Sequence, residues 1–402
     1  VEILWQSALQ RLRIAEEQSR RTITLWGANR TASKPVVKRA QIEEELFTNP
    51  DSPYNRLRLV MDAWCALSFW PVTEAANAPL FDAWLTALQD ILGMHSKAFI
   101  NKQTLASVTD WNDLTDVEVQ DLQFAGALPI AECLEKHEWL KTVKEIAAEQ
   151  GFFHWELDFA TVFAKGGFDL QIGNPPWVRP DVNFDQLLAE YDPWWQLAHK
   201  PTQKGKDERL AAIINEPIVQ RNVAKGVGEA VGIAAVLGSI AHYPYLKDQR
   251  PDLYRGFMER TWENMSPNCV VSLIHPESHF TEKKAAPLRK QAYSRLRRHW
   301  QFVNELSLFD IDHHVIYGVH TYSVSQEPQF LMASKMYHPE TAAKSLIHDG
   351  SGPLPGIKDD SYNWDLRPHR DRIIHVDNST LKVWKSILEE PNTPLLETRM
   401  VY

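Results

Sequence analysis

The chain has 402 residues, 44% hydrophobic and 24% charged, with 43 Lys and Arg against 52 Asp and Glu for a net charge of −9. That length fits two or three domains. The composition excludes a disordered tail, a collagen-like repeat and a coiled-coil rod. No apolar run reaches the ~18–20 residues of a bilayer span, and the opening Val-Glu-Ile-Leu-Trp-Gln lacks a signal-peptide pattern. The three cysteines, Cys65, Cys133 and Cys269, make neither a disulfide framework nor a zinc knuckle, so a reducing cytoplasm is the expected setting. A start at Val1 reads as a fragment of something longer. The acidic total excludes a simple basic coat for nucleic acid, though local patches still steer ligands. Two basic clusters stand out, one of Lys283, Lys284, Arg289, Lys290, Arg295, Arg297 and Arg298, the other of Arg11, Arg13, Arg20 and Arg21. Each alone reads as a solvated helix face.

Residues 1–150 read as helices, a cover or an insertion. Leu57, Val60, Met61, Trp64 and Leu67 recur at helical spacing, with Pro71 as the stop. Leu80, Phe81, Trp84, Leu85, Leu88 and Ile91 repeat the pattern and end at Gly93, and Leu140, Val143, Ile146 and Ala147 end at Gly151. Trp64 and Trp84 are expected in the core.

From Gly151 the pattern changes. Phe168–Ile172 is a short apolar run ending in Gly173-Asn174-Pro175-Pro176, a strand entering a rigid loop. A helix-rich stretch from Asp207 to Met265 leads to a strand at Cys269–Ile274. A basic helix at Leu288–Trp300 precedes a third strand at Val303–Leu308, and Val315–Tyr322 and Gln329–Ala333 complete the set. This alternation predicts an α/β fold with a mainly parallel sheet over residues 151–336. Residues 337–402, rich in Pro, Gly, Asp and Ser at first, read as a linker and the start of a further module with a helix at Leu381–Leu388.

The loop Asn174-Pro175-Pro176-Trp177 follows a strand, where ligands bind in open α/β sheets. Two prolines fix φ and remove two N–H donors, so the loop displays its carbonyls rigidly. Such a loop suits methyl transfer to an exocyclic amine. The Asn174 side-chain carbonyl and the Pro175 main-chain carbonyl can accept both hydrogens of an adenine N6 amine and localise its lone pair for in-line attack on a sulfonium methyl. That amine is unreachable inside a duplex, so the base must be flipped and held on an aromatic face such as Trp177.

At these residues the chain resembles the amino-group DNA methyltransferases of the adenine-N6 branch, whose signature is Asp/Asn/Ser-Pro-Pro-aromatic. It is similar in particular to the large methylase subunits of restriction–modification and phage-defence systems, over about Phe152–Tyr322. The resemblance implies a partial Rossmann-like methyltransferase sheet, with residues 151–336 as the catalytic half and 337–402 leading to a target-recognition module. It implies Asn174, Pro175, Pro176 and Trp177 as catalytic residues. It also implies Asp158 near the adenine end of S-adenosylmethionine and Phe309 as the second aromatic on the flipped base. The implied cofactor is S-adenosylmethionine; the implied partners are double-stranded DNA and restriction or defence-complex subunits, with no membrane. His275-Pro276-Glu277-Ser278 matches a structural motif of the family.

One departure is plain. The family's Gly-rich cofactor turn precedes Asn-Pro-Pro-aromatic, yet Gly27, Gly93, Gly126 and Gly151 are isolated, and Gly226–Gly232 lies in an Ala-rich helical stretch. The cofactor half is therefore expected upstream, and this chain alone is expected to bind the cofactor weakly or not at all. The alternative reading is a non-catalytic DNA-binding or scaffold segment of a defence complex; methylation of RNA or of a protein glutamine shares the same loop. Other chemistries find no support. No Pro-Cys nucleophile or P-loop is present, adjacent His313-His314 lack partners at metal-ligand spacing, and Pro251-Asp252 with Glu259-Arg260 lacks a nuclease lysine. Nothing places Glu277 beside Asp310 as an acid/base pair.

Overall fold

The computed structural model describes residues 1–22, 37–94, 105, 107–247, 249 and 252–402. Gly27, Pro251 and the side chains of Arg20 and Arg21 lie outside the described residues. The chain divides into two units, one of Val1–Lys165 and Val182–Gly232, the other of Gly166–Asp181 and Ile233–Tyr402. Among the described residues no helix is long and apolar enough to cross a membrane.

The first unit is helical. Ser52 caps the helix Pro53–Ala66 by accepting from the Asn55 amide, and Pro53 opens its first turn. Buried Arg56 on that helix donates to the carbonyls of Ile91 and Leu128 and pairs with Asp51 at 2.6 Å, so it satisfies a neighbouring helix end. The helices Phe81–Leu92 and Trp139–Gln150 end at Gly93 and Gly151, both at positive φ, as their spacing predicts. Arg11 is not a solvated cation: it is buried, pairs with Glu118 at 2.6 Å and lies over the Trp111 ring. Trp64 departs from expectation: it is 48% exposed and leans on Trp84 with ring centroids 5.9 Å apart. The stretch Gly226–Gly232 is helical, within Pro217–Leu237, and a Cβ at Gly232 would meet the Ser68 carbonyl at 2.6 Å. Gly226 likewise packs closely, on Leu187, whereas Gly228 faces open space.

The second unit is built on a six-stranded sheet in the order β1-β2-β4-β3-β5-β6. The strands are β1 (Phe168–Gly173), β2 (Met265–His275), β3 (Leu296–Val303), β4 (Ile316–Tyr322), β5 (Gln329–Met336) and β6 (Ile374–Asp377). With helices packed around it, the architecture is α/β, as expected. The sheet is mixed rather than mainly parallel. β1 with β2 and β3 with β5 are parallel, while β4 runs antiparallel to both β2 and β3, and β6 to β5. The β3–β4 connection carries no crossover helix, so β4 must return antiparallel. The third strand lies elsewhere than expected: the basic helix ends at Arg295, β3 runs over Leu296–Val303, and beyond Val303 the expected strand Val303–Leu308 is instead the turn Asn304–Leu306 and loop. Paired on both edges and buried over His299–Phe302, residues 296–303 are held extended, and Arg297 and the exposed Arg298 hide that pattern in the sequence.

The basic cluster is divided by this arrangement. Arg289 is buried and donates to the carbonyls of His279, Glu282 and Glu397, while Arg295 lies over the Trp262 ring. Lys283, Lys284, Lys290 and Arg298 remain exposed. Beyond Tyr337 the chain forms the helix Pro339–Leu346, then β6 and the helix Asn378–Leu388. The main core gathers Tyr254, Met258, Trp262, Leu288, Tyr293 and Phe330 on one face of the sheet.

Candidate active site

The site starts from a glycine. Gly167 has φ +112°, and a Cβ there would lie 2.6 Å from the Asn264 carbonyl, which accepts from the Phe168 amide at 2.9 Å. This close approach sets β1 in parallel register with β2, from Leu170 opposite Val270 to Gly173 opposite Leu273. Asp169 accepts from the Ser266 hydroxyl, and the Gln171 amide donates to the Thr261 carbonyl. Asn174 therefore leaves the sheet at the carboxyl end of β1.

In the loop, Asn174 and Pro176 are exposed and Pro175 is buried. Among the described residues neither the Asn174 side chain nor the Pro175 carbonyl has a hydrogen-bond partner. The next residues are pinned. The Trp177 indole donates to the Ile274 carbonyl at 3.1 Å, the Val178 carbonyl accepts from the Leu253 amide at 2.8 Å, and Arg179 pairs with Asp252 at 2.8 Å.

Trp177 is half-buried against two other rings. Its centroid lies 5.8 Å from Tyr317 and 6.0 Å from Phe309, and Phe309 meets Tyr317 edge-on at 5.0 Å. Phe309 belongs to the loop between β3 and β4 and not to the end of a strand. Asn304, fully buried, holds that loop: it accepts from the Phe309 amide and donates to the carbonyls of Phe309 and Ile311. Beside the three rings, Ile274, Trp300, Phe302, Phe309, Tyr317 and Val319 line an apolar cavity of about 420 Å³. Burial raises the Tyr317 phenol above its usual range. Sequence reading missed Tyr317 and Asn304. The Ile316–Tyr322 alternation could have flagged Tyr317, whereas nothing local marks Asn304.

Asp158 lies in the first unit, and its carboxylate is engaged there. Oδ1 accepts from the Tyr54 hydroxyl at 2.5 Å and Oδ2 from the His154 amide at 2.9 Å, with Arg58 at 3.7 Å. The phenol of Tyr54, buried beside this carboxylate, is pushed up to about 12. Glu277 accepts from the Gln301 amide at 2.5 Å, while Asp310 is exposed in the β3–β4 loop. The Ser278 hydroxyl bonds Tyr254 and Arg255, a structural role for its motif. His313 and His314 sit in that same exposed loop with their rings 3.8 Å apart, and, contrary to the sequence reading, a carboxylate does stand at ligand spacing: Asp312 lies within 4.8 Å of both.

Residues 66–208 match the family model described as Eco57I restriction-modification methylase. No curated protein matches the chain. Among solved structures, the chain is similar at 8% identity and a TM-score of 0.20 to a nuclease-deletion mutant of the Type ISP restriction-modification enzyme LlaGI, solved in complex with a DNA substrate mimic. That likeness covers 82% of this chain and 35% of the other, so the chain spans about a third of the length of the protein it matches. The loop Asn174-Pro175-Pro176-Trp177 lies inside the segment 66–208 that matches the Eco57I restriction-modification methylase model.

Proposed function

We propose that this chain supplies the amine-activating part of a site-specific DNA methyltransferase that acts on N6 of an adenine turned out of the duplex, with S-adenosylmethionine as methyl donor. The observation that carries the reading is the pairing of two acceptors without a protein partner among the described residues, the exposed Asn174 side-chain carbonyl and the Pro175 carbonyl, with a pinned aromatic at Trp177 on the carboxyl end of β1. The family match over residues 66–208 supports methylation, and its restriction–modification character supports DNA, a phage-defence setting and partner subunits.

In this reading the two carbonyls accept the two amino hydrogens. The nitrogen then bends toward tetrahedral geometry, and its lone pair leaves conjugation with the ring. Trp177, with Phe309 behind it, offers the face on which the flipped base stacks. The described residues do not fit a complete cofactor site: Asp158 is engaged by Tyr54 and His154, and Gly226–Gly232 lie inside a helix, with Gly226 packed on Leu187 and Gly232 on Ser68. The chain's part in the chemistry lies on the amine's side. That same observation favours the second reading, a DNA-binding or scaffold segment of a defence complex.

The deciding experiment is methyl transfer by the full-length gene product to a duplex with adenine N6 as acceptor, analysed by nucleoside mass spectrometry. N6-methyladenine supports the first reading; DNA binding without methylation favours the second.

A further inference from the structure

Four imidazoles, His275 of β2, His279 of the turn Ser278–Thr281, His299 of β3 and His320 of β4, are fully buried in one layer of the second unit. His275 and His320 stack with centroids 3.9 Å apart and planes 4° from parallel, and His299 lies 4.8 Å from His320. The layer is written into the strand pairing. His275 faces Gly318, and a Cβ at Gly318 would fall 2.3 Å from the His320 ring, so the glycine makes room for the stack.

The ring nitrogens are poorly served. Among the described residues both nitrogens of His279 and His320 and the Nδ1 of His299 lack hydrogen-bond partners, and the Nε2 of His299 has only the Glu277 carboxylate at 3.5 Å. His275 Nδ1 lies 2.7 Å from the Pro276 carbonyl, which can only accept, so this nitrogen carries the proton. Its Nε2 is left to accept from the Tyr322 hydroxyl at 3.3 Å. Stacked rings point their lone pairs in parallel planes and cannot converge on one ion.

The surroundings disfavour added charge. The helix Leu253–Glu263 presents Tyr254 and Arg255, and the helix Ala286–Arg295 presents Arg289 and Tyr293. β4 adds Tyr322, and the chain end adds Tyr402 at 5.6 Å from His299. Of the nearby carboxylates, Glu282 is taken by Arg255 and Glu277 stands 3.5 Å from His299. Burial first, then neighbouring rings and arginines, hold His275 at about 3 and His279 and His320 well below the usual imidazole range.

We propose that this histidine layer is a proton-sensitive latch beneath the Trp177 loop. While its rings are neutral it keeps β2 and β4 in register at Ile274–Val319 and His275–Gly318, and so holds the Ile274 carbonyl that carries the Trp177 indole. When His275 and His320 gain protons, the stacked pair repels and Tyr322 loses its acceptor. The carbonyl under Trp177 is then released. The sign follows from linkage: the native state resists protons that the unfolded chain takes up below about pH 6.5, so stability is present above that pH and is lost as pH falls. The inference rests on the burial, stacking and strand pairing of these rings and does not require the methyl-transfer reading.

The test uses the whole chain with ¹⁵N-labelled histidine and tryptophan, followed by NMR from pH 7.5 to 3. The expected result is that the His275, His279 and His320 resonances stay neutral well below pH 6.5, then change in one step with the Trp177 indole N–H. His320→Phe keeps the ring and removes one proton site. It is expected to make the slope of log K for unfolding against pH near pH 5 shallower by about one proton. It should also move the Trp177 transition to lower pH. Imidazoles that titrate singly near pH 6.5 with the indole unmoved would overturn the proposal. So would an unchanged slope in the folded variant. If His320→Phe does not fold, the wild-type titration decides.

Discussion

The Trp177 indole N–H reaches across the loop to the carbonyl of Ile274 at 3.1 Å, so the aromatic of the Asn-Pro-Pro-Trp segment is tied to the strand beside the one it follows. This bond fixes where a stacked base would sit relative to Asn174, and it links the candidate site to the end of β2. Trp177→Phe keeps a ring but loses the bond. It is expected to cost about 1 kcal/mol of stability, read by urea denaturation. Trp177→Ala also loses the stacking face and should weaken capture of a flipped base by about 1–3 kcal/mol, less when the target adenine is mispaired.

Asn304 should prove to be the support of Phe309. Asn304→Ala removes one acceptor and the donor shared by two carbonyls in a fully buried place, at an expected cost of about 1–3 kcal/mol. Hydrogen exchange at the Phe309 amide should accelerate more than at the Tyr317 amide. Equal acceleration at both would show general loosening instead of a lost support.

Glu259 gives a pH signature opposite to that of the histidine layer. It is buried, Oε1 accepts only a long bond from the Tyr245 amide at 3.3 Å, Oε2 has no partner, and burial pushes the carboxyl up to about 7. The native state therefore keeps a proton that the unfolded chain gives up above about pH 4.3, and stability falls as pH rises from there to about 7. Glu259→Gln should raise stability at pH 8, by an upper bound of about 3 kcal/mol, with the gain shrinking toward pH 4. Equilibrium unfolding at the two pH values checks it.

Calorimetry on this chain with S-adenosylmethionine should show no micromolar binding, because the glycines of 226–232 lie within a helix and form no turn, and Asp158 is bonded within its own unit. Micromolar affinity would mean that other residues build the cofactor site.

Much of the framework was legible because it rests on local chemistry. The stops at Gly93 and Gly151, the strand before Asn174 and the helical reading of Gly226–Gly232 each follow from short-range pattern. What was not legible depends on pairing partners. β3 begins at Leu296 because β4 and β5 flank it, and its arginines hide the alternation. Asn304 and the buried histidines read as ordinary polar residues until the fold encloses them, and Arg11 and Arg289 read as solvent-facing charge. Trp64 reads as core by spacing, yet it lies at a helix surface against Trp84.

The most direct measurement is single-turnover methylation of a duplex by the full-length gene product carrying Asn174→Ala, alongside the unaltered protein and Asn174→Asp. The preorganised acceptor matters most as the amine becomes nucleophilic, so its loss should cut the rate by about 10²–10³ with DNA affinity nearly unchanged. Asn174→Asp, which still accepts, should lose less. Near-normal turnover by Asn174→Ala would contradict the account and leave this loop a structural element.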